Sequence, residues 1–363
     1  MIVITHDLAA LLPLALPAAA ACLLPIAALD RDQSTQKWIR GAMFFIALLA
    51  LFGSFFYVTQ LWASGHQPAY GQLRMDRLGQ FAAIFLIVTA IVTVLQLWDH
   101  LHQEGWVRGE TLALLMASVS GMMLFTCTTN LMLLFLGLEV FSIPLYALTA
   151  TVRLRAGAVE GGMKYFLTGA VASSCFLMGA VLLYGVTGTL ELQEMAGPLG
   201  APRGLDPLAL AGAALLVLGF LFKVSAAPFH QWTPDAYEGA PHPVAGFMSV
   251  ATKGAALLAL LRVFPGLIAG PGSLLGTKLR LAIALAAVLT MVLGNLTALV
   301  QTNVKRMLAY SSISHAGYLL LAFVAGTHQA FTGLLFYLIA YLFMNLGAFG
   351  LLTAYGLVGE RTS

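Results

Sequence analysis

Long apolar runs separated by short polar turns organise this chain. A helix needs about 20 apolar residues to cross a bilayer, and the runs predict about eleven such spans, at roughly 8–29, 39–63, 77–98, 110–128, 130–152, 158–186, 208–228, 243–264, 278–301, 305–325 and 330–357. An odd number places the two ends of the chain on opposite sides. The first run lacks a basic stretch ahead of it and is long for a signal segment, so it reads as a retained helix. One stretch departs from the pattern. Between Leu208 and Phe264 an apolar run holding Lys223 is followed by PFHQWTPDAYEGAPHP, from Pro228 to Pro243, and then by a second run holding Lys253. Pro228 has no N–H and should free the carbonyl of Val224. Freed backbone at membrane depth must be satisfied by protein or water, so the break is expected to line a wet cavity. Phe229, Trp232 and Tyr237 mark a short second half-helix within 229–242.

Composition agrees with this pattern. Of 363 residues, 60% are hydrophobic and 9% charged, where soluble chains carry about a quarter; the fold class is an all-α polytopic membrane protein. The net charge of +3 offers no nucleic-acid surface. Cys22, Cys127 and Cys175 sit in separate apolar runs without metal-ligand spacing, and read as small buried residues. Loop lysines and arginines number nine on the C-terminal side (Arg31, Lys37, Arg40, Arg108, Arg153, Arg155, Lys305, Arg306, Arg361) and six on the other (Arg74, Arg77, Arg203, Arg262, Lys278, Arg280). By the positive-inside rule this favours an outside N-terminus.

Four charges remain inside spans: Glu139, Lys164, Lys223 and Lys253. A charge at the bilayer centre costs about 2.5–3.5 kcal/mol on insertion scales, so each is a candidate functional group. One acid and three bases in four successive spans point to a network for moving protons or small cations. Glu139 shares a helix face with Ser142 and Tyr146, at i+3 and i+7; the plainer reading is a polar clamp between helices. Lys164 follows Glu160 by one turn, the favourable order for an i, i+4 pair, so a structural role stands beside the functional one. Lys223 and Lys253 have no such local partner and lie several residues inside their spans, too deep to snorkel. A carboxylate that nears or leaves a buried amine changes the amine's hold on its proton, and Lys253, across the break, is the natural acceptor. His315, within the tenth span, is either a proton shuttle or a neutral histidine bonded to a neighbouring helix. His230 and His242 flank the break as packing residues. His100 and His102, two apart, point to different faces and read as a loop pair rather than a metal site. No phosphate-binding or dinucleotide motif is present, so redox and nucleotide chemistry falls to other subunits.

The runs FLGLEVFSIPLYAL, GGMKYFLTGAVASS, LLYGVTGTLEL, GFLFKVSAAPFHQWTPDAYEGAPHPV, GNLTALVQTNVKRMLAYSSISHAGY and FYLIAYLFMNLGAFG resemble the subunit N proteins of the bacterial proton-pumping NADH–quinone oxidoreductase, respiratory complex I. These belong to an antiporter-like family shared with multisubunit Na⁺/H⁺ antiporters and membrane-bound hydrogenases. The resemblance covers the chain from about residue 110 onward and includes the placement of the four charges and the broken seventh helix. It implies a multi-pass subunit of the bacterial inner membrane, set in lipid beside the antiporter-like M and the small K and J subunits. It implies no cofactor in this chain, with NADH, FMN, iron–sulfur clusters and quinone held by the rest of the complex. In the family the fifth-helix glutamate pairs with the seventh-helix lysine, and the eighth-helix lysine passes the proton on; Glu139, Lys223 and Lys253 match those positions, and Lys164 matches the sixth-helix lysine.

The family is also built from two inverted five-helix repeats. Here that implies a three-helix segment over 1–109, a first repeat over 110–264 and a partial second repeat over 265–363. Members usually continue to about fourteen helices, with a second broken helix whose lysine ends the relay. Spans 9 to 11 hold no interior lysine or glutamate, which leaves three expectations open: a truncated product, a missing piece supplied from elsewhere, or a path without its output half. Two further readings stay open: a subunit of a cation/proton antiporter, and a structural subunit without a working channel.

Overall fold

Side-chain caps set where many of the helices begin. Asn130 accepts from the amides of Met132 and Leu133, Asn303 from those of Lys305 and Arg306, Ser273 from Gly276, and Asp206, just ahead of Pro207, from Leu208. The computed structural model describes residues 7–27, 36–103, 109–152, 155–200, 206–268 and 273–361. Its helices are α1 (Leu12–Ala27), α2 (Gln36–Ser64), α3 (Arg77–Gln103), α4 (Gly109–Cys127), α5 (Leu131–Thr149), α6 (Ala156–Thr187), α7 (Leu192–Leu199), α8 (Pro207–Lys223), α9 (Trp232–Gly239), α10 (His242–Phe247), α11 (Lys253–Ile268), α12 (Leu274–Leu299), α13 (Val304–Ala325) and α14 (His328–Arg361). A small hairpin, β1 (Ala69–Tyr70) with β2 (Leu73–Arg74), joins α2 to α3.

Among the described residues nine helices are long and apolar enough to cross a membrane, and two shorter apolar helices, Leu12–Ile26 and Pro207–Lys223, complete the expected eleven. Contacts sort the helix ends into two sets. At one end Asp7 meets His66, Leu73 bridges Thr128, Asn130 bridges Glu191, and Asp76 pairs with Arg262. At the other, Lys164, Asp235, Glu238, Asn303 and Arg306 form one charged cluster. The chain therefore alternates between the two ends, with α8, the break and α9 making a single crossing. The segment from α10 through α11 is the core: 94% of its most apolar stretch is buried, against 28% for α12, which turns Leu281, Leu285 and Val292 outward.

Several expectations change here. The seventh helix ends before Pro228, because Ser225 takes a left-handed conformation (φ 64°) and Ser225 and Ala226 donate back to Phe222 and Leu221. That is a Schellman turn, with serine where glycine is usual. The eighth span is one helical stretch, His242–Ile268, with a single π turn, Met248–Thr252, set into it just ahead of Lys253. Arg262 is no loop residue but lies in α11. Lys278 and Arg280 fall inside α12, and Lys305 and Arg306 inside α13. Helix α3 continues through His100 and His102, which are thus helical. Arg31, Arg108, Arg153 and Arg203 lie outside the described residues. Cys127 is buried as expected, but Cys175 is half-buried and Cys22 is exposed on α1.

Helix α9 is held close to α6 by small residues. A Cβ at Gly161 would stand 2.5 Å from the carbonyl oxygen of Asp235, and one at Gly239 would stand 2.6 Å from that of Gly157. Only glycine lets the two backbones approach this far.

Candidate functional site

Lys223 is the last residue of α8 and is 1% exposed. Its ammonium donates to Ser142 Oγ of α5 at 2.7 Å. Four aromatic rings surround it, with centroids at 5.0 Å (Phe141), 5.4 Å (Tyr146), 5.5 Å (Tyr165) and 5.7 Å (Phe222). Ring faces attract a cation, so the chain holds this amine with one hydroxyl and a cage of π clouds.

The implied Glu139–Lys223 ion pair is not direct. Among the described residues no carboxylate lies within 4.0 Å of Lys223. Ser142, one turn past Glu139 on the same face of α5, takes the place beside the ammonium. Glu139 remains within electrostatic reach of Lys223 and Tyr146, and its Oε1 is buried without a hydrogen-bond partner.

Lys253 opens α11 directly after the π turn and is also 1% exposed. Its ammonium donates to the carbonyl of Ser312 at 2.6 Å and to the hydroxyl of the same residue. That hydroxyl lies 2.7 Å from Tyr341 Oη of α14. One turn further along α13, His315 Nδ1 is bonded to Tyr337 Oη, and its ring packs against Tyr318 and Tyr341. The bond to a neighbouring helix is thus present, and the His315 ring touches the group at Lys253 through its contact with Tyr341.

Lys164 stands apart from these groups. Its side chain is 47% exposed and bridges Glu160 at 2.6 Å and Asp235 at 2.7 Å. Asp235 reaches on to Arg306 at 2.7 Å, and Arg306 to Glu238 at 2.8 Å. Lys305 donates to the carbonyls of Glu238 and Ala240, both at 2.6 Å. Together these contacts lash α9 between α6 and α13.

The break itself is pinned by α12: the Ala227 amide donates to Thr290 Oγ1 of that helix at 2.8 Å. The space open to the outside here is a cavity of about 550 Å³ lined by Leu167, Val171, Leu218, Phe222, Pro228 and Trp232. Its lining is mostly apolar, with Thr168 and Gln231 as polar side chains. The polar side faces in. Tyr146, Tyr165, Ser225, Thr233 and Tyr237 each bury a hydroxyl without a hydrogen-bond partner around the interruption. Among the described residues no cluster of three or more His, Cys, Asp or Glu offers a metal site.

Sequence reasoning missed Tyr165, Asp235, Thr290, Ser312 and Tyr341. A signal existed for one of them: Ser312 lies three residues before His315 and so shares its helix face.

The family described as NADH:quinone oxidoreductase/Mrp antiporter, TM, matches residues 128–362. NADH-quinone oxidoreductase subunit N of Salinibacter ruber is 46% identical over 296 residues, covering 82% of this chain and 58% of the relative. The chain spans about three fifths of the length of such curated relatives. A chain of respiratory complex I from Thermus thermophilus superposes with a TM-score of 0.76 at 37% identity, covering 94% of this chain and 70% of that one. A chain of the Mrp complex from Dietzia sp. shares the fold, with a TM-score of 0.76 at 21% identity over 97% of this chain and 65% of its own. Buried lysines on either side of an interrupted crossing therefore sit in a known setting: the chain belongs to the NADH:quinone oxidoreductase/Mrp antiporter transmembrane family, with subunit N proteins among its relatives.

Proposed function

We propose that this chain is a proton-translocating membrane-arm subunit of an NADH:quinone oxidoreductase, in a bacterial cell membrane. The observation that carries the reading is the pair of fully enclosed amines, Lys223 and Lys253, each bonded to a serine hydroxyl and set on opposite sides of the interruption. Lys223 and Lys253 hold the proton in turn. Glu139, one turn from the acceptor of Lys223, biases that exchange through its charge. His315 and Tyr337 extend the path beyond Ser312 and Tyr341. Lys164 acts from outside, by fixing α9. Electron transfer, with NADH, FMN, iron–sulfur clusters and quinone, belongs to other subunits, and the lateral neighbours are the antiporter-like M and small K and J subunits.

In membranes carrying the complete complex, Lys223→Ala and Glu139→Ala should depress coupled quinone reduction and proton uptake while ferricyanide reduction by the peripheral arm continues. Unchanged pumping in both variants would refute the reading. Sodium-dependent proton exchange without NADH-driven activity would instead identify a cation/proton antiporter subunit.

A further inference from the structure

One face of α6 changes character along its length. Glu160, Lys164, Thr168, Val171, Cys175 and Met178 follow one another at helical spacing and form a single stripe. The stripe begins with the Glu160–Lys164 ion pair, whose side chains keep 64% and 47% of their exposure. It continues into a groove. The cavity of about 550 Å³ beside the break shares Val171 and Cys175 with a second cavity of about 390 Å³, which reaches Met178 and Leu215 of α8. The groove exists because α8 stops at Lys223, so that Pro228 and Trp232 stand opposite α6 in place of a further helical turn. It closes at Gly179, where a Cβ would lie 2.6 Å from the amide nitrogen of Leu216 and the two backbones meet.

Length and polarity identify the occupant. From Thr168 to Met178 the helix rises about 15 Å, half of a hydrocarbon core about 30 Å thick. A groove one leaflet deep, running along a membrane helix and ending at an exposed ion pair, has the dimensions of a phospholipid with its chain inward. The chain gains little from the groove itself, since bulk lipid is equally apolar, so retention falls to the headgroup. Lys164 gives two of its three N–H donors to Glu160 and Asp235, which leaves one for a phosphate oxygen. Glu160 meets Lys164 through Oε1, and its second oxygen can accept from a headgroup ammonium. A primary ammonium suits that oxygen, because a quaternary one has no N–H to donate.

We propose that this face of α6 binds a phosphatidylethanolamine molecule, with its phosphate on Lys164, its ammonium on Glu160 and one acyl chain in the groove. The chain then lies against Phe222, whose ring is 5.7 Å from the Lys223 ammonium, and against Trp232, which stacks on Tyr165 at 4.0 Å. Lipid thereby completes the outer wall of the Lys223 cage. The site goes beyond proton translocation and does not depend on it.

The test uses the complete complex in nanodiscs doped with phosphatidylethanolamine or phosphatidylcholine, each carrying a diazirine in mid-chain, with labelled peptides mapped by mass spectrometry after irradiation. The ethanolamine lipid should label residues 167–178 and 228–232 roughly tenfold more than the choline lipid, the ratio expected of one charge-assisted hydrogen bond. Glu160→Gln should bring the two lipids level. Val171→Trp, which fills the groove from an exposed position, should abolish its labelling by both. Equal labelling by the two lipids in the wild type means ordinary bilayer contact and overturns the proposal. A groove left unlabelled while α12 is labelled means that a protein neighbour covers it, and overturns the proposal as well. Should either variant fail to assemble, the wild-type comparison decides alone.

Discussion

Ser312 receives the Lys253 ammonium through two atoms, its carbonyl and its hydroxyl, and the hydroxyl is shared with Tyr341. Ser312→Ala keeps the carbonyl but cuts the link onward to Tyr341. A hydrogen bond to a charged group contributes about 1.5–3 kcal/mol, so Lys253 should stay buried and folded in this variant while proton uptake falls. The loss should be smaller than in Lys253→Ala, and vesicle uptake assays on the two variants measure the difference.

Ser142→Ala removes the one side-chain oxygen that accepts from Lys223. A buried donor left without a partner costs about 1–3 kcal/mol, more when charged. The variant should therefore lower the melting temperature of the detergent-purified protein as well as its pumping. Ser142→Thr, which restores a hydroxyl, should recover part of both.

Asp76 carries a pH signature. Burial pushes its carboxyl up, but the hydrogen bonds and charge of the Arg262 guanidinium and the Gly79 amide outweigh this and leave it below its ordinary value of 3.8. A carboxyl depressed in the folded state adds stability that is fully present above the unfolded value and is lost as pH falls through the folded one. Melting temperature should thus drop on acidification below about pH 4, near the unfolded value, and this part of the drop should be absent in Asp76→Asn. Arg262→Ala at neutral pH should cost about 2 kcal/mol. That is less than the 3–5 of a fully buried pair, because the Asp76 side chain keeps 36% of its exposure.

Gly161→Val forces a side chain into the 2.5 Å gap before the carbonyl of Asp235. Overpacking of this kind costs about 1–3 kcal/mol, and here it pushes α9 off α6. The variant should melt lower and pump less. Gly157→Ala, whose Cβ would meet nothing within 4 Å, should match the wild type in both assays.

The crossings were legible because membrane helices announce themselves by length and apolarity, and the deep charges because a bilayer makes them costly. Ser142 was legible by its spacing from Glu139, and Lys164–Glu160 by its i, i+4 order. What escaped was set by contacts distant in sequence. Asp235, 71 residues from Lys164, carries no local mark of its partner, and neither does Arg262, 186 residues from Asp76. The turn at Ser225 was hidden for another reason: a left-handed serine is unusual, and Pro228, three residues on, offered a stronger local signal for the same break. The π turn ahead of Lys253 has no signal in composition, since it comes from one extra residue accommodated in an otherwise ordinary helix.

The hydrogen bond from Ala227 to Thr290 has a mechanical consequence. The backbone amide of Ala227, past the end of α8 and buried, must find a partner, and it finds one on α12. Any sliding or tilting of α12 pulls on the interrupted crossing at the one place where it is not stiffened by its own helical bonds. The joint beside Lys223 is in that sense a linkage between α8 and α12, and a displacement of α12 arrives first at the seam next to that buried amine.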